Sequence, residues 1–168
     1  MCTRSSFILP LALLLACAPY EIVQTPSPPV ELAGAPQGNM GKICVVRPQA
    51  RALSYPAEVR DNGNLVGATR GQSYFCYLAE PGAHRLTTES VRQSEEATAY
   101  VTAGSTYYLQ QSVDYGFSKV YITHAWIDQA TAESAARACQ PVVMTARRAL
   151  PQLGAVAPAL RGGTSGQG

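Results

Sequence analysis

From Gly41 to Ile127 short apolar runs alternate with turn residues, and within the runs side chains alternate with a period of two. The first run, GKICVVRP, keeps Ile43, Cys44, Val45 and Val46 apolar without a break until Pro48 stops it. That predicts a strand buried on both faces. In AEVRDNGNLVGA, Asn62-Gly63 separates two strand-like runs, and Asn-Gly supplies the positive φ angles that a two-residue hairpin turn needs. SYFCYLAEPGAHRLTTES reads as strand, turn at Pro81-Gly82, strand; EATAYVTAGSTYYLQQSV repeats the arrangement through Ala103-Gly104-Ser105. KVYITHAWI, Lys119 to Ile127, follows a loop containing Tyr115, Gly116 and Phe117. The pattern predicts a mainly β fold, a seven-strand-type antiparallel β-sandwich.

The period changes after Ile127. In DQATAESAARACQP, Ala132, Ala135, Ala136 and Cys139 recur at helical spacing on one face, Asp128 stands where a cap is needed, and Pro141 ends the run. This predicts one C-terminal α-helix near 128–139, packed on the sandwich through its small-sided stripe. The domain is therefore expected over 41–145, with 146–168, rich in Ala, Pro, Gly and Arg, as a disordered tail. Ahead of the domain, APYEIVQTPSPPVELAGAPQGNM carries five prolines and little periodicity, so residues 17–40 read as a tether. Prolines would extend it at up to about 3.1 Å per residue.

The N-terminus bears on location. Met1 to Ser6 has one positive charge, Arg4, and Phe7 to Ala16 is apolar apart from Pro10, the layout of a secretory signal over residues 1–16. Crossing a bilayer takes roughly 20 apolar residues, and this run is too short. Leu14-Leu15-Ala16-Cys17 resembles the lipobox of bacterial lipoproteins, which implies a diacylglyceryl group on Cys17 and anchoring to the membrane through lipid. Ala16-Cys17-Ala18 also has the small-x-small form of ordinary secretion, but Pro19 fits a protease-bound substrate poorly. With Ala18 and not an acid after the cysteine, the resemblance implies the outer membrane, facing the periplasm, in a host with enteric-type sorting.

Once Cys2 leaves with the signal and Cys17 is acylated, Cys44, Cys76 and Cys139 remain in an oxidising compartment. Three cysteines allow at most one internal disulfide. An inter-sheet Cys44–Cys76 bridge ranks slightly ahead of Cys76–Cys139, and either requires Cα atoms within roughly 7 Å. No metal or cofactor is expected, since there is no C-x-x-C and no paired histidine. Charged residues make up 14% of the chain and the formal net charge is +2, which offers no basic field for nucleic acid.

Taken together, the lipobox, ICVVRP, VRDNGNLVGATRGQSYFCYLAEPGAHRLTTE and AGSTYYLQQ resemble an uncharacterised domain family of bacterial lipoproteins, similar in turn to PEGA-type and prealbumin-like sandwiches. Gly104, Tyr107 and Tyr108 match its G-x-x-Y-Y element. The resemblance implies a fold and no activity.

Candidate chemistry is sparse. His84 and His124 stand without a nucleophile or carboxylate at readable spacing, so both read as packed or rim residues. Glu95-Glu96, adjacent, cannot share acid–base work from opposite strand faces and read as a solvated turn. Most of the tyrosines fit simple strand preference. Tyr115, Gly116 and Phe117 stand apart as a recognition loop, because loops carry function. The expectation is a non-enzymatic, lipid-anchored envelope protein whose sandwich binds or helps assemble another envelope component, an envelope protein among its partners. The alternative is a small-ligand carrier or enzyme with a pocket between sandwich and helix.

Overall fold

The computed structural model describes residues 20–90, 93–117 and 119–146; the signal over 1–16, Cys17 and residues 147–168 of the predicted tail lie outside them. Ten strands and one helix follow in chain order: β1 (Tyr20–Gln24), β2 (Gly41–Arg47), β3 (Ala57–Asp61), β4 (Asn64–Thr69), β5 (Ser73–Ala79), β6 (Gly82–Ser90), β7 (Gln93–Val101), β8 (Thr106–Tyr115), β9 (Val120–Ile127), α1 (Gln129–Ala136) and β10 (Gln140–Ala146). They form a sandwich of a six-stranded sheet, ordered β1-β10-β5-β2-β8-β9, and a four-stranded sheet, ordered β4-β3-β6-β7. The mainly β sandwich with one helix is as expected, but with ten strands among the described residues instead of seven.

Two further expectations are corrected. The sandwich is not wholly antiparallel, because β2 pairs parallel with β8 and β10 parallel with β5. Parallel neighbours need a long crossover between them, and the excursion through β3 to β7 supplies it for β2 and β8. Nor is the helix the last element, since β10 follows it and returns to the six-stranded sheet.

The stretch read as a tether is also partly structured. β1 pairs antiparallel with β10 along its whole length, Tyr20 opposite Ala146 and Gln24 opposite Val142, and Ile22 enters the core at 8% exposure. From Thr25 to Met40 the chain then runs back across the sheet to β2. Lys42 holds this arm: its Nζ donates to the carbonyl oxygens of Glu31 at 3.0 Å, Leu32 at 3.0 Å and Gly34 at 2.6 Å. Burial pushes the Lys42 ammonium below the ordinary lysine range. A buried cation must be paired, and here four backbone carbonyls, Ala33 O at 3.4 Å being the fourth, share its three protons.

β2 is buried along every residue, as its unbroken apolar run predicts. Ile43 and Val45 face the inter-sheet core with Val59, Leu86, Val101 and Leu109. Cys44 faces the other way, with Tyr108 and Ala132 of α1 and with Leu32 of the arm. The strand is thus the axis of two packing layers, one inside the sandwich and one beneath the helix and arm.

The turn at Asn62-Gly63 has φ of 47° and 85°, the two positive values a tight hairpin requires. The Pro81-Gly82 and Ala103-Gly104-Ser105 connections, by contrast, carry the chain between sheets: β5 and β8 belong to one sheet, β6 and β7 to the other.

Candidate binding surfaces

The cysteines form one bridge. Cys44 and Cys76 are disulfide-bonded with Cα atoms 4.0 Å apart. They sit opposite each other on β2 and β5, so the bridge lies within one sheet and not between two, as the sequence suggested. Both point to the outer face, where α1 and Leu32 cover them. Cys139 is free and buried; its thiol donates toward Ala135 O at 3.4 Å, and burial pushes its pKa up to about 11. α1 is capped by Asp128, whose Oδ1 accepts from Thr131 N–H at 2.9 Å and whose Oδ2 accepts from the Thr131 hydroxyl at 2.8 Å. The helix ends at Ala136, short of the expected 139; Ala132 of its stripe is buried and Ala135 and Ala136 are half-buried, while Cys139 is buried beyond its end.

Neither histidine sits in an open cleft. His84 Nε2–H donates to Glu80 O at 2.7 Å, and its Nδ1 lies 2.6 Å from Asp61 Oδ2. The same oxygen accepts from the Tyr77 hydroxyl at 2.9 Å, and burial followed by the Asp61 charge holds that phenol well above its ordinary pKa. The cluster joins β3, β5 and β6, and so pins the crossover from one sheet to the other. The carboxylate partner of His84 lies 23 residues away in sequence, which is why no spacing revealed it.

His124 ends a chain of hydrogen bonds through the core. The Thr69 hydroxyl donates to Gln111 Oε1, Gln111 Nε2 donates to Thr88 Oγ1 at 2.8 Å, and Thr88 Oγ1 lies 3.1 Å from His124 Nε2. Burial pushes the imidazole below its ordinary 6.5, with Glu95 opposing. Glu95 and Glu96 lie in β7 and not in a turn: Glu95 Oε1 faces His124 N–H at 3.4 Å, and Glu96 pairs with Arg85 at 3.5 Å.

Among the described residues, two surfaces gather exposed aromatic side chains. The first is the predicted recognition loop, at the β8–β9 connection, where Phe117 projects fully exposed and Tyr115 and Tyr121 are exposed beside it. A Cβ at Gly116 would stand 2.4 Å from the Tyr121 ring, so a larger residue there would push that exposed ring aside. Tyr55 meets Tyr115 edge-on at 6.5 Å, bringing the 48–56 loop with exposed Leu53 to the same end. Buried Arg47 shapes that loop, its guanidinium donating to Tyr55 O at 2.8 Å and Ala52 O at 2.6 Å. Lys119 lies 5.5 Å from the Tyr121 ring centre and adds a cation to the patch.

The second surface is a groove of about 400 Å³ between β7 and β9, the edges of their sheets, lined by Tyr100, Tyr107, Trp126, Asp128 and Gln129 among others. The sequence reading assigned these tyrosines to strand preference and missed the groove. Only the stacking of two sheet edges brings β7, β8 and β9 together here.

Comparison of the chain with protein-family models, with curated proteins and with solved structures finds no match, so the family resemblance rests on the quoted residues.

Proposed function

We propose that this chain is an envelope protein anchored through lipid on Cys17 that acts by binding, and that the Tyr115–Phe117 loop is the surface it presents. One observation carries the reading: Phe117 is fully exposed at a hairpin tip, flanked by exposed Tyr115, Tyr121 and Leu53. Apolar residues scattered singly need no explanation, whereas an aromatic cluster at one end fits a docking site. Tyr and Phe also give large contact area for few rotatable bonds.

Two features support the proposed manner of presentation. Among the described residues no helix is long and apolar enough to cross a membrane, so attachment by lipid suits the chain. And β1 begins at Tyr20, leaving Ala18 and Pro19 between the proposed anchor and the folded domain. Presentation is then from a domain held close to the bilayer, without the long reach that a free tether would give.

The test is in-cell photo-crosslinking from position 117. Discrete adducts to a particular envelope protein, lost when Tyr115 and Tyr121 are changed to Ser, are expected. Adducts to lipid alone, or none above those from an exposed site such as Glu133, would reject the reading. Labelling with a fatty-acid analogue, abolished by Cys17→Ser, tests the anchor separately.

A further inference from the structure

We propose that the groove between Tyr100, Tyr107 and Trp126 is a binding site for a neutral saccharide, separate from the Phe117 end of the molecule. The first argument is rigidity. Trp126 Nε1–H donates to Thr98 O at 3.0 Å, and the Tyr107 hydroxyl donates to Tyr100 O at 2.9 Å. Tyr107 and Trp126 meet edge-on at 6.4 Å. Both rings are therefore fixed at their polar ends by backbone carbonyls of β7, while Trp126 stays 37% exposed and Tyr100 71% exposed. The Tyr107 and Trp126 rings therefore present their faces, their own donors being used within the fold.

The second argument is the chemistry of the lining. Its one charged residue is Asp128, and it contains no cation, so phosphorylated or carboxylated ligands gain nothing there. What it offers is acceptors. The Asp128 carboxylate, bonded to Thr131 through both oxygens, stands at the rim beside Gln129, whose Nε2 donates to Glu133 Oε1 at 2.8 Å and whose carbonyl oxygen is left for a ligand. Fixed aromatic faces call for a ligand with polarised C–H faces, and acceptors at the rim call for hydroxyl donors. A pyranose ring combines the two. The volume, about 400 Å³, falls in the range of small-molecule sites. An organic cation over the rings is the rival, but Asp128 is fully exposed, where its attraction is screened by water and salt.

Trp126 is the sole tryptophan of the chain, so its fluorescence reports this groove directly. The full-length chain, purified in a polyoxyethylene detergent, is titrated with chitotetraose, cellotetraose and maltotetraose, and in parallel with choline chloride. A saturable change in Trp126 emission with at least one oligosaccharide is expected, together with at least tenfold weaker binding by Tyr100→Ala. Tyr100 is largely exposed, so that variant should unfold at the native midpoint. Trp126→Phe, followed by calorimetry, should weaken binding likewise, and Phe117→Asp should bind as the native chain does, which separates this site from the docking loop. No saturable change with any oligosaccharide, undiminished binding by Tyr100→Ala, or binding of choline in their place would overturn the assignment.

Discussion

Cys44 and Cys76 stand directly opposite each other on β2 and β5, joined by a disulfide, with Ala132 of α1 and Leu32 of the arm packed over them. The bridge closes a sequence separation of 32, and restricting an unfolded chain by a loop of that size stabilises the fold by about 3–4 kcal/mol. Changing both to Ala should lower urea-unfolding stability by that order. Cys139, buried and with its thiol pushed up to about 11, should resist alkylation in the native protein. After unfolding without reductant, peptide mapping should find Cys139 alkylated and Cys44 and Cys76 protected.

Removing residues 20–37 should damage the domain. The deletion strips β1 from β10, takes Ile22 from the core and leaves the Lys42 ammonium without its carbonyl partners. An uncovered strand edge also invites pairing between chains. Light scattering should detect association, and hydrogen exchange should quicken in β10. A monomer of native stability would contradict this account of the arm.

Acid should act through His124. Its imidazole is held below 6.5 in the fold, so as pH falls through that region the unfolded chain takes up a proton that the native one resists. Stability is therefore full above 6.5 and falls as the medium is acidified toward the folded value. His124→Gln should flatten this part of the pH dependence. The check is urea midpoints at pH 7.5 and pH 5 for both proteins; parallel decreases would exclude His124 as the source.

Gly67 of β4 lies under the ring of Phe75, and a Cβ there would stand 2.2 Å from Cε2. Phe75 is buried between the sheets, so the ring cannot move without disturbing the core. Gly67→Ala should cost about 1–3 kcal/mol, as other overpacked cores do. Adding Phe75→Leu should recover part of that loss, measured by a double-mutant cycle.

Local chemistry explains what could be read in advance. The buried character of β2, the Asn62-Gly63 turn, the Asp128 cap and the inward face of α1 at Ala132 each depend on residues within a few positions of one another, and all are present. So is a Cys44–Cys76 bridge. Cysteine count and the compartment limited its choices, but its place within one sheet depended on strand order.

What was missed is long-range. Nothing in YEIVQ, five residues ahead of a proline-rich stretch, shows that its partner is QPVVMTA at the far end of the domain, since a strand that short has too few positions to display a period. The Asp61–His84–Tyr77 cluster, the Gln111–Thr88–His124 chain and the aromatic groove likewise join residues from different strands. The sequence by itself determined the strands and turns between β2 and β9, apart from the stretch of β7 at Glu95-Glu96, because those follow from backbone sterics and side-chain periodicity, while β1 and β10 carried no such signal. Only the tertiary structure decided which strands would be neighbours, because that depends on how two apolar sheet faces stack, and the aromatic groove lies where those neighbours meet.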